Sequence, residues 1–148
     1  PDLKLVIAGG KGWLEDPLYA QIEALGLGDR VQFIGFAADE DLPALYSAAQ
    51  VFAFPSLYEG FGLPPLEAMA CGVPVVASRA SSVPEVVGEA GLLIDPLDVD
   101  DLAGALARAL DDEALRAELT RRGLEQARRF SWAESARQLR EHYARLLG

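Results

Sequence analysis

Short apolar runs alternate along the chain with longer segments in which apolar side chains recur every three or four positions. Runs of the first kind, bounded by glycine, proline or polar residues, are typical of buried strands. They predict strands at residues 3–8, 31–35, 51–54, 73–78 and 91–96. The second kind predicts helices at residues 17–25, 39–49, 102–110, 113–130 and 133–147, with shorter ones ending at Gly72 and beginning after Ser82. This alternation predicts an α/β fold, a Rossmann-like doubly wound parallel sheet followed by two C-terminal helices.

The composition is that of a soluble α/β domain. With 148 residues, 51% of them hydrophobic, the chain can bury a sizeable core, so we predict one domain over residues 1–148, with residues 111–148 forming the C-terminal helices. No apolar run approaches the roughly 20 residues that a membrane helix needs. Cys71 is the single cysteine, which excludes a disulfide framework and predicts a cytoplasmic protein with a small core residue at that position. Because the first residue is Pro1, we interpret the chain as processed or cut from something longer.

The net charge of −10 is unevenly distributed. Residues 1–110 carry 16 acidic and 5 basic side chains, whereas residues 111–148 carry 7 and 8. The basic residues of the tail alternate with acidic and apolar ones, which is typical of the solvated face of a helix. Nucleic acid is therefore not expected as a partner, because binding it requires basic patches.

The most informative stretch covers residues 54–70. A buried strand ends there in a turn containing Gly60 and Gly62, and a helix follows from a Pro-Pro pair. Glycine allows a sharp turn and close approach of a ligand, and the N-terminus of a helix attracts anions such as phosphate. Two carboxylates bracket the turn, Glu59 before it and Glu67 near the end of the first helical turn.

These residues carry a resemblance to a known family. The run Pro-Ser-x-x-Glu-Gly-Phe-Gly-Leu-Pro-x-x-Glu-Ala-Met-Ala, with Glu59 and Glu67 eight positions apart, resembles that of the retaining family 4 glycosyltransferases of GT-B fold. In that family the run lies in the C-terminal domain, which binds a nucleotide sugar. The resemblance extends from Leu3 to the last helix, where Phe130-Ser131-Trp132 is similar to a family feature.

The resemblance implies a hexosyltransferase that moves a hexose from a nucleoside diphosphate sugar to an acceptor with retention. Glu67 would bind the ribose hydroxyls, and Glu59 would act as the catalytic residue in contact with the donor sugar. Backbone N–H groups of the turn would bind the diphosphate, and residues 34–36 would lie along the nucleobase. The implied donor-binding set is Glu67, Gly60, Phe61, Gly62, Leu63, Gly35 and Phe36.

The resemblance also implies the ligands and partners. The donor would be GDP-mannose or UDP-glucose, with a slight preference for GDP-mannose because the run from Gly9 to Trp13 is similar to mannosyltransferases. No cofactor and no metal ion are expected. The acceptor would be a glycan or a lipid, as in polysaccharide biosynthesis, held by an N-terminal domain outside this sequence.

One family element has no match here. The family's first strand–helix unit carries an arginine and a lysine that bind the diphosphate, and Lys11 follows the wrong strand to be that lysine. We therefore expect the five strands to be the second to sixth of the order 3-2-1-4-5-6, and the isolated chain to be inactive. An alternative reading is a non-catalytic module that binds a nucleotide sugar or packs against a partner.

Three further motifs are candidates for helix caps. Ser82 and Glu85 fit a capping box, although a Pro-Glu pair at this point also lies near the family's donor site. Asp98-Val99-Asp100 is similar to a metal-binding Asp-x-Asp pattern, but its place before an apolar-periodic helix favours capping. Ser131 is expected to cap the last helix, where His142 occupies a solvated position.

Overall fold

A computed structural model describes residues 3–10 and 15–147; Lys11, Gly12 and Trp13, the end of the run that is similar to mannosyltransferases, lie outside the described residues. Within those ranges the chain forms five strands, seven α-helices and one short 3-10 turn. It divides into two compact units, Pro1–Leu42 and Pro43–Gly148, each of which has its own sheet.

The first unit contains β1 (Leu5–Ala8), α1 (Glu15–Ala24) and β2 (Val31–Gly35). The two strands pair in parallel, with Leu5 opposite Val31, as expected for strands joined by a crossover helix. Tyr19 of α1 packs on Phe33 of β2 with the ring centroids 4.7 Å apart. The helix therefore covers one face of the strand pair.

The second unit begins within α2 (Leu42–Ser47), whose first residue still belongs to the first unit. Its remaining elements are β3 (Phe52–Phe54), α3 (Leu63–Ala70), β4 (Val75–Ser78), α4 (Val83–Val87), the 3-10 turn Gly88–Ala90, β5 (Leu92–Ile94), α5 (Val99–Asp111), α6 (Glu113–Ala127) and α7 (Trp132–Leu147). The strand order is β3-β4-β5, and both pairings are parallel. The predicted α/β fold with parallel strands is thus confirmed, and the pairings within each sheet agree with the order 3-2-1-4-5-6.

The core of the second unit lies on both faces of β4. Val75 and Ala77 belong to a buried cluster with residues of α3 and α4, including Met69 and Val83. Val76, which points to the opposite face, belongs to a second cluster with Ile94 and residues of α5. Each fully buried apolar side chain of this size stabilises the fold by about 1.5–3 kcal/mol relative to exposure. The second unit is therefore a sheet with helices on both faces.

Side-chain caps define the starts of the last three helices. Asp98 accepts hydrogen bonds from the N–H groups of Asp100 and Asp101, so the Asp-x-Asp pattern is a helix cap, as predicted. Asp112 accepts from the N–H of Leu115 at the start of α6. The Ser131 hydroxyl accepts from the N–H of Glu134, which confirms the predicted cap of α7.

Several predicted boundaries were wrong by a few residues. The helix predicted at 39–49 is only Leu42–Ser47, and the strand predicted at 73–78 begins at Val75. Val73 is buried, but its N–H donates to Ala68 O of the preceding helix, so it completes the helix end instead of the sheet. Along residues 3–10 and 15–147, none of the helices is long and apolar enough to cross a membrane.

Close packing beside β5 predicts that Gly91 cannot be replaced by a residue with a side chain without loss of stability. A Cβ added there would lie 2.7 Å from Val87 Cγ1 and 2.8 Å from the backbone oxygen of Val75. We expect Gly91→Ala to lower the free energy of unfolding by about 1–3 kcal/mol, because overpacking forces the backbone to shift. Urea denaturation followed by circular dichroism measures this change.

Gly104 provides the matched control, because a Cβ there would meet no atom within 4 Å. It lies inside α5, so Gly104→Ala is expected to raise the free energy of unfolding by roughly 0.5–1 kcal/mol. Equal stability of the Gly91→Ala variant and the parent would contradict the packing described for β5.

Candidate functional site

The turn between β3 and α3 carries most of the predicted site residues. It ends at Gly62, the N-cap of α3, whose φ of 106° lies in the left-handed region that favours glycine. Gly62 is buried, whereas Gly60, Phe61 and Leu63 are exposed. The helix that follows has prolines at its second and third positions, as the sequence predicted.

Glu67 is the fifth residue of α3, and its side chain is exposed at the surface. Its Oε2 atom accepts a hydrogen bond from the hydroxyl of Tyr46 in α2 at 3.0 Å. The Tyr46 ring is itself fixed by an edge-to-face contact with Phe52 of β3, with centroids 5.3 Å apart. The carboxylate is therefore held in one orientation, with its second oxygen free to take a ligand.

Burial, and next the hydrogen bond to the Glu67 carboxylate, hold the pKa of the Tyr46 phenol well above its usual value. Both causes favour the neutral, donating phenol over the phenolate. Tyr46 therefore stays a donor to Glu67 throughout the physiological pH range.

Glu59 is half-buried and is fixed through its side chain and its backbone. Its Oε1 atom accepts a hydrogen bond of 2.7 Å from the Ser56 hydroxyl. Its backbone N–H donates to Ser81 Oγ at 2.9 Å, and its carbonyl accepts from the hydroxyls of Ser81 and Ser82 at 3.1 and 2.9 Å. The loop after β4 thus holds the backbone of the glycine turn.

The predicted capping box at Ser82 is wrong. Ser82 is the N-cap of α4, but its backbone has helical φ and ψ and its side chain makes no cap hydrogen bond. The hydroxyl donates instead to the carbonyl oxygens of Glu59 and Phe61, at 2.9 and 3.0 Å. Glu85 is exposed, and its N–H donates to Ser82 O. The local pattern predicted that the Ser82 hydroxyl caps α4. It bonds instead to carbonyls that lie more than twenty positions away along the chain.

Phe61 contacts a residue from near the end of the chain. Its ring meets that of Phe130 edge to face, with centroids 5.8 Å apart and planes at 82°. Phe130 follows α6 and belongs to the Phe-Ser-Trp run, so this motif takes part in holding the turn as well as in starting α7. Aromatic pairs of this geometry are worth about 0.5–1.5 kcal/mol beyond the area they bury.

The two remaining predicted site residues, Gly35 and Phe36, lie in the first unit. Gly35 ends β2 with a φ of 68°, and its carbonyl accepts a hydrogen bond of 2.8 Å from the N–H of Gly9. The Phe36 side chain is 82% exposed. Both residues are thus at the C-terminal end of a parallel strand, where α/β proteins bind ligands.

The acidic residues after β5 serve structural purposes. Asp101 accepts from the N–H of Asp95, and Asp95 accepts from the N–H of Leu97 and pairs with Arg79. These donors, the Leu97 N–H first, lower the pKa of the Asp95 carboxyl. In the described part of the chain, no group of three His, Cys, Asp or Glu residues could hold a metal ion.

The sequence analysis missed Tyr46, Ser56 and Ser81 as supports of the site. Tyr46 and Ser81 reach residues 21 and 22 positions away, and no local pattern indicates such partners. Ser56 lies three positions before Glu59, so that pair could have been inferred from the chain itself.

Tyr46 leads to a prediction for alkaline titration. The protein has four tyrosines, and we expect the absorbance of phenolate to show one tyrosine ionising at higher pH than the rest. Tyr46→Phe is expected to remove that late phase. Because the pKa is raised in the folded state, the stability contributed by Tyr46 is present below the unfolded pKa of about 10 and is lost as pH rises above it.

Tyr58→Phe is the control, because that ring is 82% exposed. This variant is expected to keep the late phase. A late phase that persisted in Tyr46→Phe would show that another tyrosine gives rise to it and would contradict the raised pKa of Tyr46.

The chain is similar to known glycosyltransferases in sequence and in fold. Residues 1–126 match the family described as glycosyl transferases group 1. The chain is 50% identical over 128 residues to O-antigen chain mannosyltransferase B of Escherichia coli, covering 86% of this chain and 34% of that protein. It is 41% identical over 148 residues to the D-inositol 3-phosphate glycosyltransferase of Salinispora tropica, covering 96% and 31%. The chain thus spans about a third of the length of these relatives.

Solved structures resemble the chain over nearly its whole length. Anabaena HepE in complex with UDP and glucose superposes with a TM-score of 0.88 at 32% identity, covering 97% of this chain and 41% of that one. Sucrose-phosphate synthase of Thermosynechococcus elongatus gives a TM-score of 0.87 at 37% identity, covering 97% and 38%. Since the family match spans the first unit, most of the second and the whole glycine turn, this chain belongs to the glycosyl transferases group 1 and has the fold of a GT-B glycosyltransferase domain.

Proposed function

We propose that this chain is the donor-binding domain of a retaining hexosyltransferase. It binds a nucleoside diphosphate sugar at the turn formed by residues 59–63 and donates the hexose to an acceptor glycan or lipid. The observation that carries the proposal is the geometry of this turn. Left-handed Gly62 opens α3, and two carboxylates, each held by a hydroxyl donor, flank it.

The diphosphate binds to few N–H groups in this proposal. A helix start leaves its first N–H groups without partners, but Pro64 and Pro65 have no N–H to offer. The donors at the start of α3 are therefore those of Gly62 and Leu63, with Phe61 directly before them. Together with the partial positive charge of the helix terminus, they stabilise the charge that develops on the leaving diphosphate.

Glu67 binds the ribose of the donor. A carboxylate can accept two hydrogen bonds from a vicinal diol, and the Tyr46 hydroxyl already fixes its orientation. The nucleobase lies along Gly35 and Phe36, whose exposed ring offers an apolar surface for stacking.

Glu59 contacts the hexose and is the catalytic residue of the proposal. Its Oε1 atom is bound by Ser56, which leaves the other oxygen for a sugar hydroxyl. In a front-face displacement, the bond between the anomeric carbon and the diphosphate oxygen breaks while the acceptor oxygen bonds to the same face. The acceptor proton passes to the departing phosphate, so no other base and no metal ion is required.

Mannose is the hexose we favour, carried by GDP, with UDP-glucose as the second candidate. The relatives include mannosyltransferases, such as the O-antigen chain enzyme of Escherichia coli and the MMP alpha-(1->4)-mannosyltransferase of Mycolicibacterium hassiacum, 46% identical over 129 residues. Titration calorimetry with GDP, UDP and both sugar nucleotides tests the donor. Transfer of labelled hexose, assayed in the complete protein, tests the reaction, and donor binding without transfer would indicate a binding module.

Substitutions of the two carboxylates are expected to affect different ligands. Removal of a charge-assisted hydrogen bond costs about 1.5–3 kcal/mol, so Glu67→Ala is expected to weaken binding of GDP or UDP by roughly tenfold or more. Glu59→Ala is expected to bind the plain nucleotide like the parent but to bind the sugar nucleotide more weakly. Calorimetry measures both constants.

Glu113→Ala removes an exposed carboxylate at the start of α6 and serves as the charge-matched control. It is expected to leave both affinities unchanged. Equal nucleotide affinity of Glu67→Ala and the parent would overturn the ribose assignment.

The left-handed backbone at Gly62 provides a second test. A Cβ there would come no closer than 3.9 Å to Val83, so the cost of Gly62→Val arises mainly from the φ of 106°. We expect this variant to remain folded by circular dichroism and to lose nucleotide binding, because relief of the strain turns the N–H groups away from the diphosphate. Gly104→Ala, which lies in α5 and meets no atom within 4 Å, is the control. Normal binding by the valine variant would exclude this turn as the phosphate site.

A further inference from the structure

The loop of residues 80–82 contacts the glycine turn through two serine side chains. Ser81 Oγ lies 2.9 Å from the backbone nitrogen of Glu59 and 3.1 Å from its carbonyl oxygen. Ser82 Oγ lies 2.9 Å from the same carbonyl oxygen and 3.0 Å from that of Phe61. Two hydroxyls thus converge on backbone groups of the glycine turn, which lies more than 20 positions away in the sequence.

The two serines have different hydrogen-bonding roles. The Ser81 hydroxyl accepts from the N–H of Glu59 and donates to the carbonyl of the same residue, so one side chain bonds to both backbone groups of Glu59. Ser82 has one proton for two acceptors, so it links the carbonyls of Glu59 and Phe61 and keeps both directed at the loop.

The direction of these carbonyls fixes the direction of two N–H groups. In a planar trans peptide the C=O and the following N–H point in opposite directions. The N–H groups of Gly60 and Gly62 therefore point away from Ser81 and Ser82, on the side of the turn that the loop leaves open. No acceptor among the described residues reaches either of them.

The backbone of Ser81 carries strain that fits this role. Its φ of 50° is in the left-handed region, and it is the one such non-glycine residue in the described ranges. Glycine would adopt this conformation without strain but has no hydroxyl. The chain therefore keeps a strained residue where its side chain bonds to the turn, and such strain is often found at functional sites.

We propose that Ser81 and Ser82 are positioning residues that fix the glycine turn before the donor arrives, with the N–H groups of Gly60 and Gly62 directed at the diphosphate. The proposal rests on the proposed function of the turn and adds to it the residues that set its geometry. Donors held in advance need no rearrangement on binding, and a hydroxyl bonded to a peptide carbonyl strengthens the N–H donor of the same peptide.

Two variants remove the contacts in different ways. Ser82→Ala removes the hydroxyl that links the two carbonyls. Ser81→Gly removes the other hydroxyl but also relieves the left-handed strain, so its melting temperature is expected to remain close to that of the parent. Ser82→Thr keeps the hydroxyl and is expected to restore the behaviour of the parent.

Ser135→Ala is the matched control. It removes a serine hydroxyl that donates to a backbone carbonyl, that of Ser131, but in α7 instead of the turn. This variant is expected to bind nucleotides like the parent.

The first measurement requires no ligand. In ¹⁵N relaxation experiments on the free protein, the amides of Gly60 and Gly62 are expected to have order parameters near the value of about 0.85 that is typical of rigid backbone. Ser82→Ala and Ser81→Gly are expected to lower these values, whereas Ser135→Ala and Ser82→Thr keep them.

The second measurement compares ligands with and without phosphate. We expect Ser82→Ala and Ser81→Gly to weaken binding of GDP and UDP by about tenfold, the order expected when pre-organisation is lost. Binding of guanosine and uridine, followed by chemical-shift titration, is expected to change by less than about twofold, since the nucleoside does not contact the turn.

The outcomes distinguish this inference from the proposed function. Unchanged order parameters in the serine variants, or an equal loss of nucleoside and nucleotide affinity together with a lower melting temperature, would overturn the positioning role. If the parent binds neither GDP nor UDP, the proposed function fails, and the order parameters alone then decide whether the serines fix the turn.

Discussion

Strand β4 has no contact with solvent at any of its four residues, Val75, Val76, Ala77 and Ser78. Both of its faces must therefore be covered. Val75 and Ala77 contribute to the cluster that includes α3 and α4, and Val76 contributes to the cluster that includes α5. A parallel strand in this position requires crossover helices on both sides. Its neighbours β3 and β5 run in the same direction, which places the C-terminal ends of all three strands at one edge. The turn after β3 and the loop after β4 meet at this edge for that reason.

At that edge polar side chains hold the turn together with the Phe61–Phe130 contact. Hydroxyls of serine and tyrosine bind both glutamates and the carbonyls of the turn, and the described part of the chain has no buried side-chain polar atom without a partner. A short hydroxyl can bind a backbone group without covering the N–H groups beside it. The arrangement combines a firmly held backbone with an open surface, as a site for an anionic ligand requires.

The sequence predicted those features that depend on neighbours along the chain. Apolar runs indicated all five strands, and the helix starts at Asp98 and Ser131 followed from local capping chemistry. Glycine and proline around position 62 indicated the turn before α3 for the same reason. The prediction failed for Ser82, where a local cap competes with carbonyls made available by tertiary folding. Residues such as Tyr46 could not be assigned, because their partners are adjacent only after β3 and α3 have packed.

The contact between Phe61 and Phe130 has a consequence for where such a domain can be divided. Phe130 lies beyond α6 and beyond residue 126, where the family match ends. A boundary drawn at residue 126 would keep every glycine and glutamate of the turn but delete Phe130, the ring against which Phe61 packs. In chimeric enzymes that exchange this domain between relatives at that boundary, Phe61 of the turn would lack its native aromatic partner. The junction for such an exchange belongs after Phe130, although the limit of the family match would place it at residue 126.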